Sequence, residues 1–148
     1  MDYLIRMATK EDENSIRCLF IEMLRTIYHT DDVKGYEDGY LDRYFNDGED
    51  RIYVADDGRV IAFLSIEVHH EDRDYIYLDD LSVTEECRNK AIGTKLIRKA
   101  ESYAGEIKIP AVLFHVEKTN TDALRLYERL GYQIFQDEDS RFLLKKDM

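Results

Sequence analysis

The stretch RNKAIG, residues 88–93, brings together residue types that suit an anion. From Cys87 to Ala100 there is no acidic residue, while Arg88, Lys90, Lys95, Arg98 and Lys99 all fall in that window. The chain as a whole is acidic, with formal net charge -11. A strand-to-helix turn leaves the first N–H groups of the helix without intrahelical partners, and the helix dipole adds to their positive field. Gly93 lets a ligand approach the main chain. A phosphate or pyrophosphate is the natural guest; the competing reading is a solvated basic helix face. Gly93-Thr94-Lys95 has the wrong order for a Walker loop and lacks the upstream glycine. Ala91-x-Gly93 lacks the remaining glycines of a dinucleotide fingerprint.

Such a turn needs a strand before it and a helix after it. Residues 74–83, DYIYLDDLSV, read as that strand. The helix runs over 93–103, with Ile92, Leu96, Ile97, Ala100 and Tyr103 on its buried side. Residues 111–116, AVLFHV, form an apolar run short enough to be a buried strand. Two strands joined by a helix must be parallel, with a right-handed crossover. Upstream, residues 3–7 read as a strand, and Thr9-x-x-Asp12 opens a helix. Ile16, Leu19, Phe20, Met23, Leu24 and Ile27 share one apolar face of that helix. A second, shorter helix carries Tyr36, Tyr40, Leu41, Tyr44 and Phe45. Residues 51–68 read as a hairpin turning at Asp57-Gly58. Downstream, TNTDALRLYERLGY is a helix stopped by Gly131, and strands near 132–136 and 141–145 follow. The order β-α-α-β-β-β-α-β-α-β-β predicts an α/β (α+β) fold: a mixed, mostly antiparallel sheet, helices on both faces, and one central parallel β-α-β unit.

Composition narrows the function. At 148 residues the chain is one domain's worth, 1–148, and folding at this length buries roughly 68–70% of the unfolded surface. Hydrophobic residues at 44% and charged residues at 36% describe a soluble globular chain rather than a disordered one. No apolar run reaches the ~20 residues of a membrane span, and residues 1–12 lack a basic-then-apolar signal pattern. A cytoplasmic protein without a membrane partner is therefore expected. Cys18 and Cys87 make neither a disulfide framework nor a zinc site. The acidic balance disfavours nucleic acid and suits a cationic substrate as well as plain solubility. His69, His70, Glu71, Asp72 and Asp74 have the spacing of a polar turn, so no metal is expected.

The segment LSVTEECRNKAIGTKLI resembles the acetyl-CoA-binding segment of the GNAT acetyltransferases. That family carries an L-x-V strand, a short turn, and R/Q-x-x-G-x-G/A at a helix start. This chain has Leu81-x-Val83, then Arg88-x-x-Ala91-x-Gly93. TNTDALRLYERLGY is similar to the family's N-x-x-A-x-x-x-Y-x-x-x-G-F/Y element at Asn120, Ala123, Tyr127, Gly131 and Tyr132. The order of elements fits the family along nearly the whole chain. Ala91 departs, standing where the first glycine is usual. If that position needs a positive φ, alanine costs on the order of 1–2 kcal/mol; if it needs only a small residue, alanine fits.

The resemblance implies an N-acetyltransferase, with acetyl-CoA as co-substrate and a primary amine as acceptor. Backbone groups of Leu81 and Val83 would bond the pantetheine arm. N–H groups across Arg88, Asn89, Lys90, Ala91, Ile92, Gly93 and Thr94 would hold the pyrophosphate. Asn120 would contact the cofactor, and Tyr127 would protonate the departing thiolate. Leu81 and Val83 could equally be plain core residues, and Tyr127 a packed aromatic. Homodimers are common in the family, and nothing in the chain decides that point.

An alkylamine is protonated at neutral pH and must lose a proton before it attacks. Asp79 and Asp80 are the candidate bases. LDDLSV resembles the LEDxxV of polyamine-type acetyltransferases, whose glutamate aligns with Asp79. Strand alternation sets Asp79 with Tyr77, Leu81 and Val83, and Asp80 with Ile76 and Leu78, unless a bulge intervenes. Asp79 is favoured as base; both acids serving only to bind a cation is the alternative. Glu67 and Glu117 are further carboxylates for an amine pocket, and Tyr36, Tyr40 and Tyr44 are candidates for its wall. The expected acceptor is a small cationic amine, such as a polyamine or an aminoglycoside-like amine. Alternatives are a protein N-terminus or lysine as acceptor, a non-catalytic CoA-binding regulator, or a DNA-binding module built on the basic helix. The net charge opposes the last.

Overall fold

A computed structural model describes residues 2–148. Strand β1 (Leu4–Met7) leads through a 3-10 turn (Lys10–Asp12) into helix α1 (Glu13–Tyr28). A second 3-10 turn (Tyr40–Tyr44) precedes β2 (Arg51–Asp56), β3 (Val60–His69) and β4 (Tyr75–Val83). Helix α2 (Ile92–Glu106), β5 (Ala111–Glu117), helix α3 (Thr121–Arg129), β6 (Gln133–Asp137) and β7 (Arg141–Asp147) complete the chain. The seven strands form one sheet in the order β1-β2-β3-β4-β5-β7-β6. The pairs β1–β2, β2–β3, β5–β7 and β6–β7 are antiparallel, and β4–β5 is parallel. This is the mixed, mostly antiparallel sheet with a parallel β-α-β unit that the element order predicts. The chain divides into two compact units: residues up to 67 with 79–100, and residues 68–78 with 101–148.

In the first unit, the Asp12 carboxylate accepts the Thr9 N–H at 2.8 Å and takes both Arg6 Nη groups at 2.8 and 2.9 Å. The Arg6 guanidinium holds that carboxyl below its ordinary range. Arg6 Nε also reaches Asp56 at 3.1 Å, so one side chain joins β1, the start of α1 and the hairpin end. Gly58 has φ 111, and Asp56 and Asp57 accept N–H bonds from Gly58 and Arg59 across the turn. Ile16, Leu19, Leu41, Tyr44, Ile52, Val54 and Phe63 form a buried cluster. The apolar face of α1 is buried at its N-terminal half only; Ile27, in the last turn, is 55% exposed. The predicted second helix is shorter than the sequence suggests. Gly39, at φ 80, ends any helical continuation from Tyr36, and only Tyr40–Tyr44 coil, as a 3-10 turn. Leu41 and Tyr44 anchor that turn in the core.

In the second unit, β4 and β5 pair at Ile76↔Val112 and Tyr77↔Leu113. Phe114 meets Tyr127 and Tyr132 edge-on, at centroid distances of 4.7 and 4.8 Å. Gly131, at φ 102, ends α3, and Lys146 Nζ donates to the Leu130 carbonyl at 2.8 Å.

Candidate active site

The basic turn is built by β4, a 3-10 turn (Glu85–Cys87) and the start of α2. Asn89 and Ala91 have φ of 64 and 62, left-handed positions on either side of Lys90. Alternation of hand along consecutive residues turns successive N–H groups toward one side, which makes an anion-binding concavity. The Lys95 N–H donates to the Ala91 carbonyl at 3.1 Å, so the N–H groups of Ile92, Gly93 and Thr94 precede the helical ladder. Ala91 therefore occupies a backbone position that favours glycine. Gly93 does not: its φ is ordinary, and a Cβ there would sit 3.5 Å from Leu81 Cδ2, an everyday contact. The protein's own packing leaves room for a side chain at 93, so its absence keeps the front of the turn open.

The basic side chains do less than their count suggests. Arg88 Nε donates to the Val83 carbonyl at 2.9 Å and its Nη2 lies 3.7 Å from Glu22, so Arg88 braces the turn from behind. Lys95 and Lys99 lie over the Tyr3 and Tyr53 rings, at 5.3 and 5.6 Å. Lys90 is exposed. The backbone N–H groups at the helix start add a positive field of their own to that of these side chains.

The acidic candidates meet an aromatic wall in the same unit. Phe20, Tyr36 and Tyr40 stack at centroid distances of 3.8 and 4.9 Å, and Tyr44 follows at 6.4 Å. Tyr36 donates its hydroxyl to Asp80 Oδ2 at 2.6 Å, and the Asp80 N–H donates to buried Ser65 at 2.9 Å. Among the described residues no hydrogen bond to the Asp79 carboxylate is formed. Crowding by surrounding protein, then the negative charges of Asp80 and Glu67, push Asp79 up to about 6 against the pull of Arg43. Asp80 is also raised by burial, but the Tyr36 hydroxyl pulls it back. Burial and the charges of Asp80 and Asp79 push the Tyr36 phenol up, and Tyr40 and Tyr44 shift the same way. Burial along β4 alternates as expected, with Ile76, Leu78 and Ser82 inside. Even so, both aspartates bear on the same tyrosines, which strict alternation alone does not predict. Glu67 belongs to this group, 3.7 Å from Arg43, which also holds Asp50 at 2.7 Å.

The remaining candidates lie in the second unit. Asn120 caps α3, its Oδ1 accepting the Ala123 N–H at 3.3 Å. Tyr127 packs against Phe114, and burial raises its phenol, keeping it protonated through neutral pH. Glu117 is exposed at the end of β5, opposite Arg141. No spacing in the sequence points to a further chain of side chains here. The Tyr77 hydroxyl is 2.5 Å from His115 Nδ1, and His115 Nε2 is 3.1 Å from Glu138. The registers of β4 against β5 and of β5 against β7 bring these three residues together from far apart in sequence. In the polar turn, His70 meets Asp74 at 2.9 Å and His69 stacks on Tyr75. Among the described residues no cluster of His, Cys, Asp and Glu is arranged to hold a metal ion, and no helix is long and apolar enough to cross a membrane.

Known proteins share this sequence pattern and this fold. The profile of the acetyltransferase (GNAT) family matches residues 21–132. The uncharacterized N-acetyltransferase YhfO of Bacillus subtilis is 30% identical, over 94% of this chain and 93% of its own length. Among solved structures, the PaiA N-acetyltransferase of Thermoplasma acidophilum, in complex with coenzyme A, superimposes with TM-score 0.77 at 19% identity, covering all of both chains. Arabidopsis thaliana NAA60, in complex with acetyl-CoA, gives TM-score 0.78 at 17% identity over 99% of each chain. The family match spans well over half of the chain and includes the Arg88–Thr94 turn and the Asn120–Tyr132 element, and on that ground the chain belongs to the GNAT family of acetyltransferases.

Proposed function

We propose that the protein moves an acetyl group from acetyl-CoA to a primary amine, and that the amine is small and cationic. The observation that carries the acceptor class is the meeting of Asp79, Asp80 and Glu67 with the wall of Tyr36, Tyr40 and Tyr44. Carboxylates draw in an ammonium group, and tyrosine faces receive cations and their methylene chains. The two aspartates then divide the work. Asp80, held by Tyr36, stays an anion and orients the amine. Asp79, without a donor and raised to about 6, is ionised at neutral pH yet basic enough to take a proton.

The turn at Arg88, Asn89, Lys90, Ala91, Ile92, Gly93 and Thr94 supports the other half of this reading. Its backbone N–H groups suit a pyrophosphate, and the open front at Gly93 admits one. Leu81 and Val83 supply strand backbone for the pantetheine arm. Acetyl-CoA, when bound, supplies the thioester. The amine nitrogen bonds to the acetyl carbon as the carbon–sulfur bond breaks; Asp79 receives the proton leaving the nitrogen, and Tyr127 gives one to the sulfur.

A panel of amines with acetyl-CoA, followed by CoA release, tests the reading. A di- or polyamine is expected to exceed a monoamine in kcat/KM, with the preference shrinking as salt screens the attraction. Asp80→Asn is expected to raise KM for the amine more than it lowers kcat. A peptide N-terminus preferred at every salt concentration would move the acceptor class to protein. Acetyl-CoA binding with no turnover of any amine would favour a regulator.

A further inference from the structure

Between α1 and the Tyr40–Tyr44 turn the chain forms no regular element from His29 to Gly39. Such a segment does not order itself, because each fixed residue loses conformational entropy. Yet Tyr36 in its middle is stacked on Phe20 and bonded to Asp80. Gly35 lies close against α1, where an added Cβ would come within 2.9 Å of Ile21 Cδ1. Arg17 of α1 binds the main chain of the segment directly. Arg17 Nη1 donates to the Tyr36 carbonyl at 2.7 Å and Nη2 to the Glu37 carbonyl at 3.2 Å. Its Nε is held by Glu13 at 2.9 Å, one turn earlier on the same helix. A planar guanidinium fits two successive carbonyls and a carboxylate together; a lysine ammonium does not.

We propose that Arg17 is a positioning residue for the acceptor end of the site: it grips the carbonyls of Tyr36 and Glu37, seats the Tyr36 hydroxyl on Asp80, and so fixes Asp80 as the standing anion while Asp79 exchanges the proton. The division of labour rests on the function proposed above; the grip itself does not. A hydroxyl bonded to a carboxylate is stronger than a neutral hydrogen bond, and it works only while the hydroxyl is held in place. The titratable and charged groups facing the two aspartates are Tyr36 from the segment, Tyr40, Arg43 and Tyr44 from the 3-10 turn, and Glu67 from β3. Only Tyr36 among them donates to Asp80. Without that bond Asp80 rises toward Asp79, and two adjacent carboxyls compete for one proton.

The test is a carboxyl-carbon NMR titration of Asp79 and Asp80 in the wild type, Arg17→Met, Tyr36→Phe and the double variant, with amine KM and acetyl-CoA Kd measured alongside. Tyr36→Phe should raise the Asp80 midpoint and merge its step with that of Asp79. Arg17→Met, though it touches neither aspartate, should do the same. Each single change should raise amine KM roughly tenfold, the scale of one charged hydrogen bond, and the double no further. Acetyl-CoA Kd should stay within about twofold in all of them, as expected for a change confined to one end of the site. Arg17→Gln keeps one donor for one carbonyl and should fall between wild type and Arg17→Met, which covers the case where Arg17→Met folds poorly. An unmoved Asp80 midpoint in both Arg17 variants, or KM effects that multiply in the double, overturns the proposal. If the wild type acetylates no amine, the proposed function falls, and the titration still decides the role of Arg17.

Discussion

The turn at residues 88–94 and the wall facing Asp79 and Asp80 belong to one compact unit, yet they are made in opposite ways. The turn is seven consecutive residues with two left-handed positions and a helix start, and the role proposed for it is carried by backbone. The wall is assembled from Phe20, Tyr36, Tyr40, Tyr44, Glu67, Asp79 and Asp80, which come from α1, a loop, a 3-10 turn and two strands. A backbone site tolerates many side chains and recognises a group that never varies. A side-chain site changes with each substitution and can follow a varied acceptor. The pairing of the two suits an enzyme with one fixed donor and one acceptor chosen by evolution of the wall.

The largest effect should come from the wall. Asp79→Asn removes the proposed proton acceptor and is expected to lower kcat/KM by about 10³-fold, within the usual range for a positioned base. In the wild type, kcat/KM should fall as pH drops through about 6, because Asp79 is then protonated. That limb should vanish in the variant. Stability should move the other way. The folded-state value of Asp79 is raised, so the native state holds this proton more tightly than the unfolded chain. Its ionisation therefore costs stability as pH rises from the ordinary carboxylate value of 3.8 to about 6, and the cost is constant above that. Asp79→Asn should raise Tm at pH 8 and leave it unchanged near pH 4. If the acid limb survives in Asp79→Asn, the Tyr77–His115–Glu138 chain becomes the group to mutate next.

Next in size is Tyr127→Phe, which keeps the ring against Phe114 and removes the hydroxyl. A fall of roughly 10²-fold in kcat is expected where chemistry limits turnover. Tm should hardly change, since among the described residues no hydrogen bond depends on that hydroxyl. Unchanged kcat would make Tyr127 a packing residue. Like the turn, Tyr127 is singled out by a local pattern, so this variant asks whether such a pattern marks chemistry or only packing.

What the sequence made legible follows the same division. Leu96, Ile97, Ala100 and Tyr103 are buried as their helical spacing requires, and β4 and β5 are parallel because a single helix joins them. While the capping of α3 by Asn120 is not read from the sequence, Gly131 takes up its stop position after α3. These are local or topological rules. The stack of Tyr36 on Phe20, the grip of Arg17 on residues 36 and 37, and the bond from Tyr36 to Asp80 span up to 44 positions. No spacing rule reaches that far. Tyrosines 36, 40 and 44 look helical because their period is four, and Gly39 is what breaks that period. The engagement of Arg88 with Val83 and Glu22 was likewise hidden, since charge in a sequence says nothing about where a side chain turns.

Gly93→Ala separates the needs of the fold from those of the ligand. The added methyl meets Leu81 at an ordinary distance. Alanine favours a helix over glycine by up to about 1 kcal/mol, so Tm should rise slightly. Acetyl-CoA affinity should fall about tenfold, equivalent to one lost close contact at the turn. Opposite signs in the two measurements are the signature of a glycine kept for its ligand. A rise in Tm with undiminished affinity would return Gly93 to the fold.

Ala91→Gly should have the smallest effect and answers the question that the sequence left open. With φ at 62, Ala91 carries the left-handed penalty of roughly 1–2 kcal/mol that a Cβ imposes. Glycine removes that penalty but adds freedom to the unfolded chain, which costs about 0.5–1 kcal/mol. The difference is a net gain of about 0.5–1 kcal/mol, or a Tm higher by about 2–4 °C for a chain of this size. Asn89, at φ 64, is the internal control. Asparagine tolerates this region better than alanine does, so Asn89→Gly should gain less than Ala91→Gly, while Asn89→Ala should lose stability. If position 91 serves the ligand through its backbone hand, Ala91→Gly should bind acetyl-CoA at least as tightly as the wild type. A lower Tm in Ala91→Gly, or weaker binding, would mean that the alanine side chain itself is wanted at the turn, and the backbone account of residues 88–94 would have to yield to one based on side chains, as at the wall.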